Sequence, residues 1–239
     1  MTLRAIFFDI DDTLFSTTEF AGKARELAVE AMIIRGLKAD KEVVLAELHE
    51  VVVEFGSNDN RHYNRLLDRL PEISTRGINK QLLVTAGVIA YHEAKWRGLR
   101  VRPEAHGLLE DLSRTDLRLG IISAGLTTKQ MEKVVRLGLD KLLDPGLLFI
   151  TDQVGIAKSN PDLYRLAVSA AEVDPGEAMH VGDHPHHDVD TAAAAGLVTV
   201  LHRGSGKYSN MVGDYEADYS ISRIGELRGI LTEHFSIVL

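Results

Sequence analysis

An α/β fold, with a parallel sheet covered by helices and interrupted by an inserted four-helix bundle, follows from three observations on the sequence. Residues 4–9 form a short, continuously apolar, β-favouring run. From Glu19 to about Arg97 no strand pattern appears. After Arg102-Pro103 short apolar runs alternate with helical stretches, the pattern of consecutive βαβ units and so of a parallel sheet with helices on both faces.

The first run, Arg-Ala-Ile-Phe-Phe-Asp over residues 4–9, cannot satisfy its backbone groups as a lone strand. It is therefore assigned to the later sheet, and the helical stretch becomes an insertion. Residues 1–16 and 98–239 then make one discontinuous domain and residues 17–97 the other. Four helices are expected in the insertion, over residues 19–37, 41–55, 61–70 and 78–96, broken by Gly36, Gly56-Ser57-Asn58, Pro71 and Gly98. Val44, Leu48, Val51, Val52 and Phe55 recur at three- and four-residue spacing, one face of a helix. Trp96 and the aliphatic stripes are assigned to the bundle core. Beyond the insertion, strands are expected at residues 118–123, 147–151, 178–181 and 197–201, and helices at 103–114, 127–137, 161–171 and 189–195. Asn160-Pro161 sets a capping side chain before a proline at the first helical position.

Hydrophobic residues make up 45% and charged residues 26% of the 239 positions, as in an ordinary globular protein. A net charge of −8 with no basic tract argues against nucleic acid as a partner. The absence of cysteine excludes disulfides and thiolate chemistry and fits a reducing compartment. No cleavable signal is visible, and the longest nearly apolar run, residues 192–201, falls short of the ~20 residues that span a bilayer. A cytoplasmic protein without a membrane partner is expected.

In an open parallel sheet, ligands sit beyond the carboxyl ends of the strands. Those ends carry Asp9 and Asp11, then Ser123-Ala124-Gly125, then Gly182-Asp183, while Lys158 lies in a loop opened by Gly155. Asp9 and Asp11, two apart, leave the strand on the same side, and such close like charges call for a cation, a shared proton or a substrate charge. A carboxylate nucleophile, a neighbouring acid, a hydroxyl, an ammonium and carboxylates for Mg²⁺ are what phosphoryl transfer requires. Mg²⁺ takes oxygen ligands, commonly one or two carboxylates, the substrate phosphate and retained waters.

Asp9-Ile-Asp11-Asp12-Thr13, Ser123, Lys158 and Gly182-Asp183 followed by Asp188 resemble, in order, the four motifs of the haloacid dehalogenase superfamily. The resemblance implies a Rossmann-like core and a helical cap inserted between the first and second motifs, where the helical stretch falls. It implies Asp9 as the nucleophile, forming an aspartyl-phosphate, and Asp11 as the general acid and base. Asp12, Thr13, Ser123, Ala124 and Gly125 would meet the phosphate, at the helix beginning near Thr127, where the dipole favours anions. Lys158 would bridge nucleophile and phosphate. Mg²⁺ would be held by Asp9, the Asp11 carbonyl and Asp183, with Asp188 acting through water. Asp9, Asp183, Asp188 and a phosphate dianion total about −5, and each close like-charge pair costs on the order of 4 kcal/mol at an effective dielectric near 20. Mg²⁺ and Lys158 return about +3.

Two positions depart from the pattern: Ala124 stands where the family commonly has Asn, and His184-Pro185-His186-His187 fills the space between the last acids. These imidazoles, with His180, also offer a possible transition-metal site. Asp11 separates the chain from the true dehalogenases, which lack that acid. The reading is a Mg²⁺-dependent phosphatase for a small phosphorylated metabolite. The alternatives are a phosphomutase, separable by isomer formation in place of phosphate release, and a non-catalytic phosphate-binding module.

Both ends of the insertion return to the α/β domain, so in an up-down bundle the connection between its second and third helices returns there too. That connection makes Asn58, Arg61 and His62 candidates for contact with the substrate beyond its phosphate. The resemblance points to three-carbon phosphates such as glyceraldehyde 3-phosphate, to phosphoglycolate or to nucleoside monophosphates, and to a monomer or homodimer. Gly204-Ser-Gly-Lys207-Tyr208 lacks the spacing of a phosphate-binding glycine loop and reads as a surface loop.

Overall fold

A computed structural model describes residues 2–204, 208 and 210–239, and so most of the segment 204–208 lies outside the described residues. The chain divides into two compact units, Met1–Thr18 with Arg100–Leu239, and Glu19–Leu99.

The first unit is built on strands β1 (Ala5–Phe8), β2 (Arg118–Ser123), β3 (Leu148–Ile150), β4 (Ala178–Gly182), β5 (Val198–His202) and β6 (Tyr219–Ile221). They form one sheet in the order β3-β2-β1-β4-β5-β6 with every pairing parallel. All four β1 residues are buried, which explains its unbroken apolar run: a central parallel strand has no solvent face. Helices α5 (Pro103–Leu112), α6 (Thr127–Arg136), the short α7 (Thr151–Val154), α8 (Pro161–Ala170), the short α9 (Thr191–Ala194) and α10 (Leu227–Phe235) accompany the strands. Asn160 caps α8, accepting the Asp162 N–H at 3.0 Å. Phe7, Ile122, Leu147, Leu163, Tyr164 and Ala178 belong to one buried cluster that ties sheet to helix.

The second unit contains most of α1 (Thr17–Ile34), then α2 (Lys41–Phe55), α3 (His62–Arg69) and α4 (Lys80–Gly98). Its core joins Val29, Met32, Val44, Leu48, Leu66, Leu67 and Leu83. Asp40 and Asn79 cap α2 and α4.

Several expectations need correction. Trp96 is not core but 71% exposed: α4 buries Leu83, Val84 and Gly87, and a residue nine positions past Gly87 falls half a turn round the axis. Residues 185–190, where a helix is expected only from Val189, form a π-helical turn begun by Pro185 and capped by His184, whose Nδ1 accepts the His187 N–H at 3.3 Å. β6 and α10 had no counterpart in the sequence reading. Among the described residues no helix is long and apolar enough to cross a membrane.

Candidate active site

Strand order reverses about β1 and β4, and the crevice past their carboxyl ends is where a doubly wound sheet binds ligands. Asp9 follows β1 there, its N–H donating to the Val181 carbonyl at 2.9 Å, and Asp183 follows β4. Lys158, delivered by the loop before α8, donates to Asp9 Oδ1 at 2.6 Å and to Asp188 Oδ1 at 2.5 Å. All three side chains are buried. Asp188 also receives His180 Nε2 at 2.9 Å and, on Oδ2, the His184 N–H at 2.9 Å. With those bonds formed, Asp188 serves as the fixed counter-charge of Lys158. Gly182 makes room for it, since a Cβ there would lie 2.2 Å from the Asp188 carboxyl carbon.

The electrostatics follow from burial and neighbours. Burial, opposed by Lys158 and reinforced by Asp188 and Asp11, raises Asp9 to about 6. Burial and the charges of Asp9, Asp188 and Asp12 raise Asp183 to about 8. Asp188 sits well below the usual carboxylate range: burial pushes it up, but Lys158 and His180 overcome that. Burial holds His180 down, despite the Asp188 bond, and so neutral. Tyr164 packs edge-on against His180, ring centroids 5.0 Å apart, and donates to the His187 carbonyl at 2.5 Å.

Oxygens of Asp9, Asp183 and Asp188 lie within 4.8 Å of one another. Asp183 Oδ2 is buried with no partner in the protein. Three buried acids share one ammonium, and an all-oxygen donor set with an orphaned carboxyl oxygen fits a hard divalent cation. Two hydroxyls, Thr13 Oγ1 and Ser123 Oγ, are also buried without partners. Orphaned donors of this kind are costly unless a ligand accepts from them.

Other expected contacts are otherwise engaged. The Asp12 carboxylate accepts Thr18 N–H at 3.0 Å and Thr18 Oγ1 at 2.6 Å, and so caps the start of α1. The Gly125 N–H donates to Thr151 Oγ1 at 3.0 Å. The α6 N-terminus is capped by Asp152, which accepts Thr127 N–H at 2.9 Å and Thr127 Oγ1 at 2.7 Å. A carboxylate from the chain itself already takes the favourable end of that dipole. In the other unit, Asp59 accepts the Arg61 N–H at 2.6 Å and Arg65 Nε at 2.9 Å, and His62 Nε2 bonds the Gly56 carbonyl at 2.8 Å. Arg61 and Asn58 are exposed. Of the histidines in this turn, His186 Nδ1 bonds Asp190 at 2.7 Å, His184 Nδ1 accepts the His187 N–H, and His187 Nδ1 is buried without a partner.

Sequence reasoning missed what surrounds Asp11. Its Oδ1 accepts from Lys133 Nζ and Thr17 Oγ1, and its Oδ2 from Gln130 Nε2 at 2.9 Å. Lys133 and Gln130 are separated by one turn of α6, a helix so polar that neither stands out in the sequence. Ala124, in the position noted for lacking an amide, offers its carbonyl to Gln130 Nε2 at 2.8 Å.

Comparison with known proteins agrees with this geometry. Residues 3–196 match the model of the family described as haloacid dehalogenase-like hydrolase. Glyceraldehyde 3-phosphate phosphatase of Methanopyrus kandleri is 37% identical over 97% of this chain and 98% of its own. Its namesake from Pyrococcus furiosus is 38% identical over 96% and 93%. In fold, a HAD phosphatase from Thermococcus onnurineus superposes with a TM-score of 0.64 at 23% identity, covering 96% of this chain and 98% of that one. With its four motifs at the carboxyl end of one parallel sheet and these relatives beside it, the chain belongs to the haloacid dehalogenase-like hydrolases and is an enzyme of their phosphatase branch.

Proposed function

We propose that this phosphatase acts on a small three-carbon phosphate, glyceraldehyde 3-phosphate being the substrate named for its full-length relatives, and that the residues first singled out in the sequence carry the reaction. The observation that carries the reading is the buried Asp9–Lys158–Asp188 array beside the unpartnered Asp183 oxygen. Asp9 attacks phosphorus in line, forming a bond from its carboxylate oxygen as the bond to the substrate oxygen breaks. Asp11 gives its proton to the departing alkoxide. It then takes one from the water that attacks phosphorus, freeing Asp9 and releasing inorganic phosphate. Lys158 holds Asp9 and draws off charge as it passes to phosphate, and Thr13 and Ser123 donate their free hydroxyls to phosphate oxygens. Asp9, the Asp11 carbonyl and Asp183 would hold Mg²⁺, which when bound would supply charge neutralisation for the phosphate.

In this reading the unit Glu19–Leu99 is a four-helix cap, and Asn58, Arg61 and His62 select the carbon portion of the substrate. The test is phosphate release from a panel of small esters, with Mg²⁺ and with EDTA, for wild type and Asp9→Asn. Release that needs both Mg²⁺ and Asp9, fastest on glyceraldehyde 3-phosphate, is the expected result. Isomer formation without phosphate release would instead make the enzyme a mutase.

A further inference from the structure

Asp11 has three donors on its carboxylate. Lys133 Nζ and Thr17 Oγ1 reach Oδ1, and Gln130 Nε2 reaches Oδ2. A carboxylate offers about four lone-pair sites, so among the described residues a single site on Oδ2 stays open. We infer that Lys133 and Gln130 are positioning residues for Asp11, holding its carboxyl so that the reacting proton is exchanged through that one remaining site on Oδ2. This rests on the acid–base role proposed above. In the first step the Oδ2 proton passes to the alkoxide as the phosphorus–oxygen bond breaks. In the second, the same oxygen takes a proton from the attacking water.

Three features of the fold are explained by this arrangement. Gln130 is buried, and its amide nitrogen spends its second N–H on the Ala124 carbonyl at 2.8 Å. Both neighbours are acceptors, so the nitrogen is the atom that must face them. Gly125 has φ +137°, and a Cβ there would lie 2.9 Å from that nitrogen, so the glycine keeps the space the amide needs. The Ala124-Gly125 pair is thereby tied to Asp11 through Gln130. Lys133, finally, is mostly buried. An ammonium is costly to bury unless its partner is fixed.

The test is a ratio. Wild type, Lys133→Met, Lys133→Arg and Gln130→Met are assayed for kcat/KM on glyceraldehyde 3-phosphate, whose alkoxide needs a proton, and on acetyl phosphate and p-nitrophenyl phosphate, whose leaving groups do not. That parameter reports only steps up to departure of the leaving group. General acid catalysis contributes about 10²–10⁴-fold, so Lys133→Met and Gln130→Met should lose about 10-fold or more on glyceraldehyde 3-phosphate and less than about 3-fold on the activated esters. Lys133→Arg should recover part of the loss. Equal losses on all esters, or none on any, would overturn the positioning role while leaving an active wild type and the phosphatase reading intact. A wild type inactive on every ester would overturn the phosphatase reading and this inference with it. Should Lys133→Met fail to fold by circular dichroism, Gln130→Met, which removes no charge, carries the same comparison.

Discussion

Replacing Lys158 by Met keeps most of the side-chain volume and removes the charge between two buried carboxylates. The ammonium lies 2.6 Å from Asp9 and 2.5 Å from Asp188, so each contact carries about 6 kcal/mol of Coulomb attraction at an effective dielectric near 20. Desolvation of the three groups offsets much of that, and removing one partner of a buried pair costs about 3–5 kcal/mol. For a chain of 239 residues such a loss corresponds to a fall in Tm of about 6–20 °C. Circular dichroism melts in EDTA at pH 7 read this directly, and phosphate release should fall nearly to zero. The deficit also has a pH signature. Asp9 is raised to about 6, above its ordinary value, so the folded state binds its proton more tightly than the unfolded chain does. Stability tied to that proton is present at low pH and lost as pH rises through about 6. Without Lys158 the unprotonated pair is left uncompensated, so the gap between variant and wild type should narrow from pH 7 to pH 5. Saturating Mg²⁺ should narrow it as well, by returning positive charge to the site. A variant that melts with wild type in EDTA at pH 7 would refute the claim that Lys158 compensates these acids.

Asp183, raised to about 8, carries a proton at pH 7 in the cation-free protein, and a cation must displace it. Mg²⁺ affinity should therefore climb with pH toward about 8 and then level, and calorimetry in two buffers of unlike ionisation enthalpy should show proton release at pH 7. A buffer-independent heat would remove Asp183 from the site. Arg61→Ala should lower kcat/KM selectively within a panel of phosphate esters with no change in Tm, because its side chain is exposed and its bonds to Asp59 and Arg65 are made by its backbone. A uniform kcat/KM across the panel would rule out a role in substrate choice.

The sheet and the ordered acids were legible because each leaves a periodic or positional trace. An unbroken apolar run marks β1 and a carboxylate follows it; Asn160-Pro161 marks the start of α8. Residues whose role depends on tertiary contact left none. Lys133 and Gln130 sit in a helix with little apolar content, so their approach to Asp11 depends on how α6 lies against β1, which local sequence does not encode. Trp96 was misjudged for a related reason: a large aromatic suggests core, but its helical phase sets it opposite Gly87. Asp12 and Gly125 belong to the right motifs, yet their polar groups are consumed by a helix cap and by Thr151. Motif membership identifies a loop and does not say which of its atoms are free. β6 buries only Ile221 of its three residues, so no apolar run marks it.

The register of β1 also sets when the site can come into being. Ala5 pairs with Arg118 on one side and with Ala178 on the other, so the first strand made is separated from both its partners by more than a hundred residues. On the ribosome, β1 must wait, its backbone groups hydrated, while the helices of residues 19–99 form from contacts close in sequence. Only after β4 emerges can the sheet close around it, a high-contact-order event that is slow by comparison with helix packing. A stall or truncation before residue 178 would thus leave Asp9 on an apolar strand with its β4 edge open, exposed for aggregation and without Asp183 or Asp188 to complete its chemistry.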